Sequence, residues 1–196
     1  MKTSLHVLVL AAGAPRRPDR HGPHERPALH RVVSTAVALA GNAVTVVLGS
    51  NARQVAPVLG GLPASTVLNR RWEEGEGSSV RTGIASLPGS CDAVLIVSGD
   101  QPKVTVDDLR QLTDAWKHDD ATIAAGFHGR QAGLPVIFPR LFFGELAQLR
   151  GDQDARTIIQ RNSYRLVRVP MPNADPDVSE SRVAPGERSQ NPSATE

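Results

Sequence analysis

The sequence predicts an α/β fold, a mostly parallel sheet with helices on both faces. Three observations carry this. Short, nearly continuous apolar runs alternate with longer helix-like stretches between residues 5 and 169, as expected of strand–helix repeats. The runs are rich in Val, Leu, Ile and Ala with little polar alternation, the pattern of strands buried on both faces. Glycine, proline and asparagine punctuate the junctions.

In chain order, residues 5–10 (LHVLVL) read as a buried strand and residues 28–40 as a helix ended by Gly41 and Asn42. Residues 44–48 form a second strand followed by Gly49. A short helix is expected over 51–59, a short third strand over 66–68 and a helix over 78–87. Residues 93–97 (AVLIV) are the most strand-like run of the chain. Thr105 opens the next helix, with Asp107 and Asp108 in its first turn, where negative charge favours the helix dipole. Strands are expected at 121–125, 135–138 and 165–169, and helices around 141–149 and 155–161. After Asp177 the chain has almost no large apolar residues, so a domain over 1–177 and a disordered tail over 178–196 are expected.

Composition narrows the functional classes. The 196 residues are 40% hydrophobic and only 4% aromatic, so aliphatic side chains must build the core. The formal net charge of +2 is nearly balanced, which speaks against nucleic acid as a partner. Arginines cluster locally at Arg16, Arg17, Arg20, Arg26 and Arg31, enough for one anionic ligand. The single cysteine, Cys91, cannot form an intrachain disulfide or a multi-thiolate metal site, in keeping with a cytoplasmic location. No apolar run is long enough to span a membrane. The N-terminus resembles a signal peptide, but His6 interrupts its apolar stretch, and a first strand is the better reading.

In such a sheet, ligands lie at the carboxyl ends of the strands, and two informative loops fall there. The first is Leu10-Ala11-Ala12-Gly13, whose small residues let backbone N–H groups approach a phosphate or a base. A tight turn without a ligand fits this motif alone equally well. The second is Gly99-Asp100-Gln101-Pro102. A carboxylate just past a buried strand suits Mg²⁺, which takes one or two carboxylates with phosphate oxygens and water; a simple turn cap is the alternative. The stretch from Asn69 to Ser79 is a polar, glycine-bearing loop entering a helix that starts with serines, which offers free N–H groups and hydroxyls to a ligand; an ordinary capped helix after a loop is the alternative. Asp152 is expected to cap the helix after it, and Asp175 and Asp177 follow the last strand.

Taken in order, these motifs resemble the MobA-like nucleotidyltransferases, and within them the molybdenum cofactor cytidylyltransferases. The resemblance rests on Leu10–Gly13, Asn69 to Ser79, Gly99–Pro102, Gly133-Leu134-Pro135-Val136-Ile137-Phe138, Phe143 to Asp152, and Asp175 with Asp177. It implies a Rossmann-like three-layer sandwich and a transfer of a nucleotidyl group, CMP from CTP, onto the phosphate of a molybdopterin-type cofactor with release of pyrophosphate. A molybdenum hydroxylase is then an expected partner. Leu10, Ala11, Ala12, Gly13, Asn69 and Ser79 would bind the nucleotide, Arg17 and Asp100 would be catalytic, and Asp100 with Asp177 or Asp175 would hold Mg²⁺. Ala12 rather than a second glycine leans toward CTP over GTP.

The loop after Gly13 departs from the family pattern. Arg17 keeps the expected arginine, but Pro15 replaces a serine, Asp19 a glycine, and Gly22 stands where a phosphate-binding lysine is expected. No lysine lies between Lys2 and Lys103. Arginine is a planar fork rather than a point charge and does not replace lysine neutrally. A nucleotide- or cofactor-binding protein without transfer activity, and a transferase with another acceptor, are therefore the alternative readings.

Overall fold

The computed structural model describes residues 4–13, 26–50, 52–117, 119–128, 130–150 and 153–174. The chain forms one seven-stranded sheet in the order β3-β2-β1-β4-β6-β5-β7. Its strands are β1 (Leu5–Ala11), β2 (Val44–Leu48), β3 (Ser65–Leu68), β4 (Ala93–Ser98), β5 (Ile123–His128), β6 (Gln131–Pro139) and β7 (Leu166–Pro170). β6 runs antiparallel to both β4 and β5, and every other pairing is parallel. The helices are α1 (Ala28–Ala40), α2 (Ala52–Val55), α3 (Glu76–Ala85), α4 (Val106–Trp116), α5 (Phe143–Leu146) and α6 (Ala155–Arg161).

Burial explains the apolar runs. In the central strands β1 and β4, Val7, Leu8, Val9, Val94, Leu95 and Ile96 are fully buried, because both sheet faces are covered. On one face Val7, Val9, Leu95 and Val97 pack with Val32, Val33 and Ala36 of α1 and Leu109, Leu112 and Trp116 of α4. On the other, Leu8, Leu10, Val94 and Ile96 pack with Val80 of α3, Leu146 of α5 and Ile158 and Ile159 of α6. This is the expected three-layer sandwich. Among the described residues no helix is long and apolar enough to cross a membrane.

The helix ends follow their sequence signals. α1 stops where the Gly41 N–H bonds Val37 O at 2.8 Å. α4 opens with a reciprocal capping box: Thr105 Oγ1 accepts from the Asp108 N–H, and the Asp108 carboxylate accepts from the Thr105 N–H. Replacing such a cap by alanine typically costs about 1 kcal/mol.

Some expectations need correction. Of the helix expected over 51–59, residues 52–59 form a four-residue α turn, Ala52–Val55, followed by a 3-10 turn at Ala56–Leu59, since Pro57 has no N–H to extend the ladder. The expected helix over 141–149 is a 3-10 turn, Arg140–Phe142, and then only four α residues. Asp152 lies outside the described residues, and α6 is capped by Asp154, whose carboxylate accepts from the Arg156 N–H at 2.9 Å. β5 and β6 extend beyond their apolar runs through the pair His128 and Gln131. Ladder bonds between antiparallel neighbours hold these polar residues in strand form without a buried face.

Candidate active site

Strand order reverses between β1 and β4: from β1 the chain steps outward to β2 and β3, and β4 then starts the other half of the sheet. Ligand crevices in open α/β sheets form at the carboxyl ends of strands flanking such a switch. Leu10-Ala11-Ala12-Gly13 leaves β1 there, and Ser98-Gly99-Asp100 leaves β4 beside it, with Leu10 in register with Ser98.

Backbone bonds hold the first loop from both sides. Its Leu10 carbonyl accepts from the Gly99 N–H at 2.8 Å, and its Ala12 carbonyl accepts from the Ser50 N–H at 3.0 Å. Close approach requires a glycine at 49 and leaves little room for a side chain at 99. A Cβ on Gly99 would lie 3.0 Å from Leu10 O, and one on Gly49 only 2.2 Å from Ala12 O. Leu10 and Ala12 are buried, Ala11 is half-buried and Gly13 is exposed. The loop backbone is therefore set by β2 on one side and β4 on the other.

Asp100 is exposed at the carboxyl end of the sheet, and the Ser98 hydroxyl donates to its Oδ1 at 2.5 Å. The next residue, Gln101, is buried. Its Oε1 accepts from the Ser98 N–H at 3.3 Å, and its Nε2 donates to Leu134 O at 3.0 Å and Ala174 O at 2.7 Å. Gln101 thus joins β4, β6 and the segment that follows β7.

The stretch from Asn69 to Ser79 turns its polar side chains inward rather than toward a ligand. α3 begins at Glu76, after Gly75 at a φ of 103°, so Ser78 and Ser79 sit inside its first turn and are buried. The Asn69 side chain is 2% exposed. Its Nδ2 donates to Ser78 Oγ at 2.8 Å and Ser79 Oγ at 3.0 Å, and its Oδ1 accepts from the Arg71 N–H at 2.9 Å. Arg81 ties the same region to its surroundings through the Glu74 carboxylate and the Leu149 carbonyl. Asn69, Ser78 and Ser79 form an internal brace beneath the loop.

A cleft runs from Asp100 past the ends of β4, β6 and β5 toward α6. Its walls include Ser98, Asp100, Glu76, His128, Gly133 and Arg156. The extended β5–β6 hairpin supplies His128 and Gln131, and Arg156 is held by Asp154 through Nε and Nη2, both at 2.7 Å. These residues carry no local sequence motif. Gln101 lies within the quoted turn motif, but a single buried glutamine has no sequence signature, and its partners lie 33 and 73 residues away.

Arg17, Asp175 and Asp177 lie outside the described residues. Arg26 is described: its Nη1 donates to His30 Nε2 at 3.0 Å in the first turn of α1. Among the described residues no three His, Cys, Asp or Glu side chains form a metal cluster. The Asp100 carboxylate and the Ser98 hydroxyl are oxygen donors, which suit a hard divalent cation that draws its remaining ligands from phosphate and water.

The model of the MobA-like NTP transferase domain matches residues 7–168. The chain belongs to this family. Among curated relatives, the bifunctional protein GlmU of Sorangium cellulosum (strain So ce56) is 34% identical over 135 residues, 62% of this chain and 28% of the relative. The chain therefore spans only about a quarter to a third of the curated relatives it matches. Among solved structures, Rv0371c from Mycobacterium tuberculosis H37Rv in complex with manganese is 25% identical, with a TM-score of 0.69 over 88% of this chain and 90% of that one. A nucleotidyl transferase from Methanothermobacter thermautotroptrophicus has a TM-score of 0.72 at 21% identity, over 87% and 89% of the two chains. This MobA-like chain shares the fold of both.

Proposed function

We propose that the protein is a nucleotidyltransferase that moves a nucleotidyl group, CMP from CTP, onto the phosphate of a molybdopterin-type cofactor and releases pyrophosphate. The observation that carries this reading is the junction of β1 and β4. The Gly99 N–H bond to Leu10 O sets a small-residue loop and a cation-binding carboxylate side by side at the switch point. Membership of the MobA-like family supports the reaction class, and the manganese complex of Rv0371c supports a divalent cation.

In this reading the triphosphate lies over Leu10–Gly13, with the N–H groups of the small-residue loop facing it. Arg17, with Arg20, carries the charge that a lysine at position 22 would otherwise carry. Asp100 holds Mg²⁺ with help from Asp177 or Asp175, and Ser98 orients Asp100. The cation offsets negative charge on the phosphates. Asn69 acts at one remove, fixing the loop over α3 through Ser78 and Ser79 rather than touching the base. The acceptor occupies the cleft between Asp100 and Arg156, where His128 and Arg156 favour an anionic group. The protein has little covalent work to do: it aligns donor and acceptor and offsets developing charge.

The test is calorimetric titration with CTP, GTP and ATP, with and without Mg²⁺, followed by pyrophosphate release in the presence of molybdopterin cofactor. Mg²⁺-dependent CTP binding with pyrophosphate release is expected, and Asp100→Ala is expected to lower transfer by at least 100-fold. Undiminished transfer by Asp100→Ala overturns the cation assignment. A second reading, nucleotide binding without transfer, is favoured by Pro15, Asp19 and Gly22 in the loop after Gly13. It predicts CTP binding with no pyrophosphate released.

A further inference from the structure

We infer that Gln101 is a positioning residue of the cation site, acting through Asp100. This inference rests on the reading of Asp100 as the cation ligand.

The geometry is specific. Gln101 is 7% exposed, although glutamine is mostly a surface residue. One amide meets three separate segments: the Ser98 N–H at the end of β4, the Leu134 carbonyl in β6, and the Ala174 carbonyl after β7. The first bond shapes the turn that presents Asp100, because the same Ser98 also donates its hydroxyl to Asp100 Oδ1. The third bond ends at Ala174, one residue before Asp175 and three before Asp177 in the sequence.

The segment it grips is anchored elsewhere as well. The Met171 N–H donates to Phe127 O at 3.0 Å, the Ala174 N–H donates to Met171 O at 3.0 Å, and Asn173 Nδ2 donates to Asp108 Oδ2 at 3.1 Å. Asp108 is itself the capping-box partner of Thr105. The turn of β4, the start of α4 and residues 171–174 therefore form one hydrogen-bonded unit with Gln101 at its centre. An apolar side chain of the same size would fill the volume but leave a buried carbonyl, Ala174 O, and a part-buried one, Leu134 O, without this donor. Gln101 thus sets where Asp100 stands relative to the chain that enters Asp175. Groups that orient a metal ligand without touching the metal typically change its affinity by about 10–100-fold.

The experiment measures Mn²⁺ binding to the full chain by electron paramagnetic resonance of free Mn²⁺, together with thermal unfolding. Gln101→Met is expected to weaken Mn²⁺ binding by about tenfold or more. In an Asp100→Asn background, Gln101→Met is expected to add no further loss, because the ligand it positions is already gone. A Gln101→Met protein that melts earlier but keeps wild-type Mn²⁺ affinity makes Gln101 purely structural and overturns the inference. If Asp100→Asn itself leaves Mn²⁺ binding intact, the cation reading has failed, and that result is distinguishable from failure of Gln101 alone. Should Gln101→Met not fold, exposed Asn173→Ala loosens the same segment from its other side. A severalfold weaker Mn²⁺ affinity supports the inference, and an unchanged one overturns it.

Discussion

Gly49→Ala isolates the loop after β1 from every residue with a chemical role. The added Cβ would stand 2.2 Å from Ala12 O and 2.8 Å from Ala12 C and Cα. All three are backbone atoms, so no rotamer change relieves the contact. Ordinary separations between such atoms are about 3.5 Å, so the two strands' exits must part by about 1 Å. Overpacking of this kind costs roughly 1–3 kcal/mol, which for a chain of this size lowers the melting temperature by roughly 2–12 °C. The shift also stretches the bond from the Ser50 N–H to Ala12 O, now 3.0 Å, and moves the loop proposed to carry the triphosphate. Misplacement by about 1 Å can cost on the order of 100-fold in rate, so CTP binding or turnover is expected to fall at least tenfold. Gly99→Ala is the internal control. Its Cβ would meet Leu10 O and Leu29 Cδ1 at 3.0 Å; the leucine can rotate and the carbonyl need move only a few tenths of an ångström, so the loss is expected to be smaller. Circular-dichroism melting and CTP calorimetry read both variants. Wild-type melting and wild-type CTP affinity in Gly49→Ala would refute the claim that the loop is set by this contact.

Two further outcomes are expected. Arg17→Ala and Arg20→Ala should each weaken triphosphate binding severalfold, more at low salt than at high salt, because screening removes what the guanidinium adds; calorimetry at two ionic strengths with no difference from wild type would remove these arginines from the phosphate site. His6 is buried against Thr45, with Nε2 and Oγ1 at 2.9 Å, and burial lowers its pKa. The unfolded chain then takes up a proton below about pH 6.5 that the folded protein resists, so stability is full above that pH and declines as the pH falls below it. Melting curves from pH 7.5 to 5.5 should show a steeper acid loss for wild type than for His6→Gln, and parallel curves would sink this assignment.

Much of this architecture is legible in the sequence because burial on two faces leaves a strong mark. Val44–Leu48 and Ala28–Ala40 stand where their patterns put them, since an apolar strand or a one-sided helix has few other ways to hide its side chains. Legibility fails where backbone pairing rather than burial sets the element. His128 and Gln131 pair in the β5–β6 hairpin although neither has an apolar face, and the overhang they form is a wall of the cleft. The part of the sheet that leaves no hydrophobic pattern is thus the part that faces the acceptor in the proposed reaction.

The site divides along the same line. Leu10–Gly13 and Asp100 are readable because the chemistry needs particular residue types at a strand end, small ones for backbone approach and a carboxylate for a cation. Asn69 and Ser79 are readable as a motif but not as a role: the amide that looks available to a ligand is spent on two buried hydroxyls and a backbone N–H. Gln101 is the opposite case, an unremarked letter in a four-residue motif that turns out to bond segments 33 and 73 residues away. A buried polar side chain must satisfy its hydrogen bonds, and it can do so with any carbonyl the fold brings near. Its partners follow from topology, from β6 and the chain after β7 closing over the end of β4, and no spacing rule within the sequence encodes them. The residues proposed to touch the ligand are therefore written locally, while the one proposed to aim them is written only in the completed sheet.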